Sequence, residues 1–265
     1  MLLAVLSQKG GVGKTTVALG LVGSAQRAGL RTLVIDLDPQ ANATLWLAPR
    51  EIPLSASDVL ADGRPGIAAD AIVRTGWGSE IDVIAADAAL SHRNSVGTVD
   101  DAYRLRRSLD TVTHDYDLVV LDCPPSMGEL TRNGLVAAQS ALIVTEAGYF
   151  ALRGAQQAVE SAQIVSSALN PDLVTAGIVV NRLRGRSKEQ DFRLKELREV
   201  YPKLLLEPPI PERAAVQRAQ GAGVPIHRAG QGGRQVAERF DAVLTQTMRR
   251  SRDREADQSV ASGVG

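Results

Sequence analysis

Short, nearly unbroken apolar runs recur along the chain, separated by stretches in which apolar residues return every three or four positions. The runs are Leu2 to Leu6, Arg31 to Asp36, Ile81 to Ala85, Leu118 to Asp122, Ala141 to Thr145, Val174 to Asn181 and Leu204 to Leu206. Residues 15–28, 100–112, 128–138, 152–169, 187–200 and 231–249 carry the helical spacing. A strand covered on both faces reads as a continuous apolar run, whereas a half-exposed one alternates. The pattern therefore predicts an α/β fold, a doubly wound, mostly parallel sheet of about seven strands with helices on both faces. Residues 48–78, rich in Pro, Gly and Ala, are expected to form a surface excursion with one or two short helices. Residues 1–250 are the expected single domain, and 251–265 an expected disordered polar tail.

Composition narrows the class. None of the apolar runs approaches the ~20 residues of a membrane span. Cys123 is the sole cysteine, which excludes an intrachain disulfide, a Cys-rich zinc site and a Cys-ligated cluster within one chain, and it fits a reducing cytoplasm. The net charge of zero is assembled from unequal parts: residues 1–181 hold 13 Lys+Arg against 19 Asp+Glu, and residues 182–265 hold 17 against 11. The C-terminal third is therefore basic. Of the 30 basic residues 25 are Arg, and two of the five lysines, Lys9 and Lys14, bracket the glycines of the first turn.

That turn, Lys9-Gly10-Gly11-Val12-Gly13-Lys14-Thr15-Thr16, lies between a predicted strand and a predicted helix. In this context backbone N–H groups and a helix N-terminus can wrap the phosphates of a nucleotide. Glycines let the backbone curl, Lys14 reaches the β/γ-phosphates, and the Thr15 hydroxyl suits Mg²⁺. The strict pattern G-x-x-x-x-G-K-[ST] fails, because Gln8 stands at the first glycine position and Lys9 is additional. KGGVGKTT resembles instead the deviant Walker A loop of the ParA/MinD family of P-loop ATPases. The resemblance implies ATP and Mg²⁺ as cofactors, and an ATP-bound homodimer in which Lys9 contacts phosphate in the partner's site while Lys14 acts in its own.

Further segments carry the likeness. Asp36-Leu37-Asp38-Pro39-Gln40-Ala41-Asn42-Ala43-Thr44 resembles the family's switch I segment DLDPQGNAT, with Ala41 in place of its glycine. A carboxylate at this strand end is placed to orient water near the γ-phosphate or Mg²⁺; the family pattern gives hydrolysis to Asp38 and the metal's water shell to Asp36. Leu118 to Ser126, LVVLDCPPS, has the form of a Walker B strand, with Asp122 for Mg²⁺. Cys123 lacks a neighbouring His and reads as a buried thiol rather than a nucleophile. Residues 144–154, VTEAGYFALRG, resemble a block whose usual form is EYFALEG, with Gly148 in place of an acid. GIVVNR and PIPERAAVQRA resemble the segments flanking adenine, which makes Asn181 and Pro211 base-contact candidates.

The branch of the family sets the purpose of hydrolysis. The C-terminal residues are of mixed charge with no apolar face, unlike the membrane-binding helix of MinD-type members, so no membrane partner is expected. ParA-type members bind DNA non-specifically through basic residues, which the C-terminal charge fits. Arg182, Arg184, Arg186, Arg213 and Arg218 are the candidates, with Arg228 and Arg234 nearby. With the first strand at residue 2, no helix-turn-helix extension is expected ahead of the loop. The resulting expectation is a slow, partner-stimulated ATPase that is cytoplasmic and nucleoid-associated. It would segregate a chromosome or plasmid with a ParB-type centromere-binding protein, or position a protein cargo through an adaptor. A MinD-like membrane regulator and a small-molecule kinase of the dethiobiotin-synthetase kind are the alternatives.

Overall fold

The computed structural model describes residues 1–262 except Val96, Arg186 and Gln231. Its frame is an eight-stranded sheet: β1 (Leu2–Leu6), β2 (Thr32–Asp36), β3 (Ile72–Thr75), β4 (Gly78–Ile84), β5 (Leu118–Asp122), β6 (Ser140–Glu146), β7 (Val174–Asn181) and β8 (Leu205–Leu206). The order across the sheet is β3-β4-β2-β5-β1-β6-β7-β8, and every pairing is parallel except β3 with β4. The antiparallel edge strand is the addition to the seven expected. It sits inside the stretch read as a surface excursion because Ile72-Val73-Arg74-Thr75 is four residues long, has an exposed Arg74, and follows an Ala-rich turn.

The helices named here are α1 (Lys14–Arg27), α2 (Asn42–Leu47), α3 (Ala56–Asp62), α4 (Arg104–Ser108), α5 (Glu129–Ala137), α6 (Ala151–Ala168), α7 (Lys188–Val200), α8 (Ala214–Gly221) and α9 (Arg234–Ser262). The excursion does hold two short helices, α2 and α3. The helix expected over 100–112 is instead a 3-10 turn, Asp100–Tyr103, leading into the five-residue α4. Helix α9 continues to Ser262, past residue 251 where order was expected to end; Ser251 to Ser262 contains neither Gly nor Pro, so nothing local stops the helix.

Successive residues of a strand face opposite ways, and this splits the interior in two. Leu3, Val5, Val34, Val120 and Val144 pack with Leu21 of α1 and Phe240 of α9. Ala4, Leu6, Leu33, Ile35, Leu121 and Ile143 face the other layer with Leu135 of α5 and Ala155 and Ala158 of α6. Helices α1 and α9 approach closely at Gly20, where a Cβ would stand 2.4 Å from Phe240 Cδ1. The parallel strands end together along one edge, as doubly wound sheets do, and the loops after β1, β2, β5, β6 and β7 gather there.

Candidate functional site

The loop after β1 is built by two left-handed glycines, Gly11 at φ 84° and Gly13 at φ 81°. Gly13 is the N-cap of α1, and no side chain caps that helix end. The unpaired N–H groups of its first turn are thus left for an anion. Gly10 and Gly11 are exposed, Val12 and Thr16 are buried, and Thr15 is partly buried. The Thr16 hydroxyl is engaged by Gln220 of α8 at 3.2 Å, whereas Thr15 stands one residue nearer the loop.

Three carboxylates converge beneath the loop because strand register puts them there. Asp36 and Asp122 are the last residues of β2 and β5 and are direct partners across the parallel pair. Lys14 Nζ donates to Asp122 Oδ1 at 2.7 Å and lies 3.8 Å from Asp38 Oδ2. Burial pulls the Lys14 ammonium pKa down, but the Asp122 ion pair and hydrogen bond more than offset it, so the net shift is upward. Asp36 is fully buried and accepts hydrogen bonds from Thr44 N, Thr44 Oγ1 and Asp38 N at 2.8, 2.8 and 3.1 Å. Burial, and then repulsion from Asp122, push its pKa to about 7. Asp122 Oδ2 is buried without a hydrogen-bond partner, an orphan acceptor that suits a hydrated Mg²⁺. Asp122 and the Thr15 hydroxyl fit the metal of a Mg²⁺-nucleotide, and the loop amides fit its phosphates.

The other predicted residues fall into distinct places. Lys9 is exposed, five positions before the buried Lys14, and makes no ion pair among the described residues. Cys123 is fully buried, which pushes its thiol pKa to about 12 and leaves it inert at neutral pH. Asn181 and Pro211 come together at the far side of the loop, where Leu183 bridges Pro211. The Asn181 amide donates to Val12 O at 2.9 Å and Gly13 O at 3.4 Å, which ties its NH₂ to the loop.

The arginine candidates separate. Arg182 is exposed, donates to the Gly11 carbonyl and lies 3.4 Å from Glu146. Arg184 is paired with Glu212 at 2.5 Å. Arg186 lies outside the described residues. Arg213 and Arg218 are exposed, and neither has a carboxylate partner among the described residues; Arg213 bonds Glu212 O and Gln235 Oε1.

Two residues acquire roles that the sequence reading did not give them. Thr44 ties switch I down, donating twice to Asp36 while its hydroxyl accepts from Ala86 N at 2.9 Å. Its only sequence signal is its place as the last residue of the switch I segment. Glu146 ends β6 and reaches Arg182; in the sequence it stands within the block VTEAGYFALRG, just past the predicted strand.

Known proteins share this arrangement of motifs. A family model described as an AAA domain matches residues 1–175. The sporulation initiation inhibitor protein Soj of Bacillus subtilis is 32% identical over 229 residues, covering 85% of this chain and 89% of that protein. The chromosome partitioning protein ParA of Caulobacter vibrioides is 34% identical over 230 residues, covering 84% and 85%. Among solved structures, the Mycobacterium smegmatis cobyrinic acid a,c-diamide synthase with bound ATP analog and magnesium superposes with a TM-score of 0.75 at 32% identity, covering 91% of this chain and 93% of that one. A loop with two lysines, acids at the ends of β2 and β5, and these relatives over most of their length lead to one assignment: the chain belongs to the ParA/MinD family of P-loop ATPases.

Proposed function

We propose that this chain is a partition ATPase in which Mg²⁺-ATP drives homodimerisation, the dimer binds duplex DNA without sequence preference, and a ParB-type partner stimulates hydrolysis and release. Its relatives named for chromosome partitioning support the process. The single observation that carries the mechanism is the contrast between the two loop lysines. Lys14 is 6% exposed and held by the acids of its own site, while Lys9 is exposed at the rim and makes no ion pair among the described residues. An exposed cation at the rim and an anionic polyphosphate in the cleft make the loaded face self-complementary, so two copies related by a two-fold axis satisfy each other.

In this reading Lys14 leaves Asp122 for the β/γ-phosphates when nucleotide arrives. Asp122 and Thr15 would hold the metal, with Asp36, the cross-strand partner of Asp122, beside them. Mg²⁺, when bound, neutralises phosphate charge. Asp38, tethered through Ala41 N and Gln40 N, orients the attacking water. Phe150, 59% exposed, lines the same small cavity as Lys9, and Tyr149 beside it is 72% exposed. Two copies that exchange Lys9 therefore cover this aromatic pair.

Binding to non-specific duplex DNA with ATP, ADP or no nucleotide, across a salt series, tests the proposal. Salt-sensitive binding only with ATP is the expected result. An ATP dimer with no affinity for DNA would overturn the DNA role. Turnover that required an organic acid and an amine donor would turn the reading toward a synthase.

A further inference from the structure

The turn after β7 grips the phosphate loop. Arg182 has a left-handed backbone, φ 54°, a conformation that a long side chain keeps only where its surroundings impose it. That turn sends its guanidinium back over the loop, where Nη1 donates to the Gly11 carbonyl and lies 3.4 Å from Glu146 Oε1. The neighbouring Asn181 amide takes the carbonyls of Val12 and Gly13. The carbonyls of Gly11 and Val12 are thereby held from the end of β7, while Gly13 O accepts from Val17 N at 3.0 Å as the first bond of α1 and has only the longer Asn181 contact besides. In a planar trans peptide the C=O and the following N–H point in opposite directions. Fixing the carbonyls of residues 11 and 12 toward β7 therefore aims the N–H groups of Val12 and Gly13 to the opposite side, and α1 itself sets the direction of the Lys14 N–H. The contact is close: a Cβ on Gly13 would lie 2.4 Å from Asn181 Nδ2 and 3.4 Å from Arg182 Nε.

We infer that Arg182, backed by Glu146, is a positioning residue for the nucleotide phosphates, and that it acts through the loop backbone and is no DNA contact. The inference rests on the loop's being the nucleotide site. Glu146 gives the half-exposed guanidinium an anionic neighbour beside the Gly11 carbonyl. Arg182 supplies a charge-assisted hydrogen bond to the Gly11 carbonyl, and Asn181 extends the grip to Val12.

The test is Arg182→Met, which keeps the apolar stem and removes the donors, with Arg182→Lys as the conservative variant. Titration with Mg²⁺-ADP, followed by fluorescence of the two tryptophans or by calorimetry, should show affinity weakened about tenfold or more, the scale of a charged hydrogen bond. Arg182→Lys should recover part of the loss. In turnover assays KM should rise with kcat nearly unchanged. Glu146→Gln should weaken binding in the wild-type background and have no further effect in Arg182→Met, the signature of coupled residues. The salt dependence of DNA binding at saturating ATP should be unchanged.

Unaltered ADP affinity in Arg182→Met, with a DNA salt slope reduced by about 0.9, the value of one lost phosphate contact, would overturn the inference and return Arg182 to the DNA face. Unaltered affinity and slope together would overturn it as well. If Arg182→Met fails to fold, the Glu146→Gln and Arg182→Lys titrations decide alone. The ADP measurement needs no DNA, so failure of the DNA role and failure of the clamp are read separately.

Discussion

At the scale of single residues the site is governed by charge buried in the absence of its ligand. Asp36 has its pKa raised to about 7 by burial and by Asp122, so the folded chain favours its neutral form where an unfolded carboxyl would be ionised. A raised carboxyl pKa means that stability falls as pH rises from about 4 through about 7, with the full penalty present above that window. The upward-shifted Lys14 stays charged throughout this range and adds no slope. The nucleotide-free protein should accordingly melt at a lower temperature at pH 8 than at pH 6, and Asp36→Asn should abolish most of the difference. A melting series at these two pH values checks it. Lys14→Ala should abolish nucleotide binding, and it also leaves Asp122 buried without its cation, a loss of about 3–5 kcal/mol. That Lys14, Asp38 and Asp122 share one site was legible because each sits in a contiguous motif. The place of Arg182 was not, since its partner Gly11 is 171 positions away and its direction depends on a backbone angle that no residue type announces.

At the scale of elements, the sheet could be read because seven strands are apolar on both faces, and helix cover demands that. Strand β3 escaped because an edge strand needs apolar residues on one side only, and four positions do not establish a period. Helix α8 was hidden in a segment read for its base contact, with only Ala215 and Ala219 buried to betray a helical face. The switch I region is held to its surroundings by the tryptophans: Trp77 Nε1 donates to Trp46 O at 3.0 Å, Trp46 Nε1 to Val224 O at 2.9 Å, and the rings meet edge to face at 5.7 Å. No apolar periodicity encodes those hydrogen bonds. The closest helix contact is the most exacting. Gly20→Ala gains helix propensity of about 1 kcal/mol but drives a methyl into Phe240, an overpacking cost of about 1–3 kcal/mol. The variant should unfold at a lower temperature with unaltered ADP affinity, since Gly20 lies in the second turn of α1, away from the loop. A melting point at or above wild type would show that α1 and α9 can separate at little cost.

At the scale of the whole molecule, the proposed function requires two surfaces of one chain to respond to one nucleotide. The first is the rim carrying Lys9, Tyr149 and Phe150. Cys123 is buried and is the sole cysteine, so Phe150→Cys introduces a single reactive thiol. Its labelling by a maleimide should slow strongly on addition of Mg²⁺-ATP, and this protection should vanish when Lys9→Ala is added. Labelling at an unchanged rate in a dimer verified by sedimentation would show that the aromatic pair stays open. The second surface is the basic one, and the structure thins it. Arg182 and Arg184 are paired with Glu146 and Glu212, whereas Arg213 at the start of α8 and Arg218 within it have no carboxylate partner among the described residues. Each phosphate contact contributes about 0.9 to the slope of log affinity against log salt, so the double variant Arg213→Ala, Arg218→Ala should lower that slope by about 2 if both touch phosphate. The loss should be the same for duplexes of any sequence, because backbone contacts carry no base information. ATP-dependent dimerisation should survive in the double variant, since neither side chain reaches the loop acids. A slope identical to wild type, in a sample that still dimerises, would place the DNA face elsewhere on the basic C-terminal third.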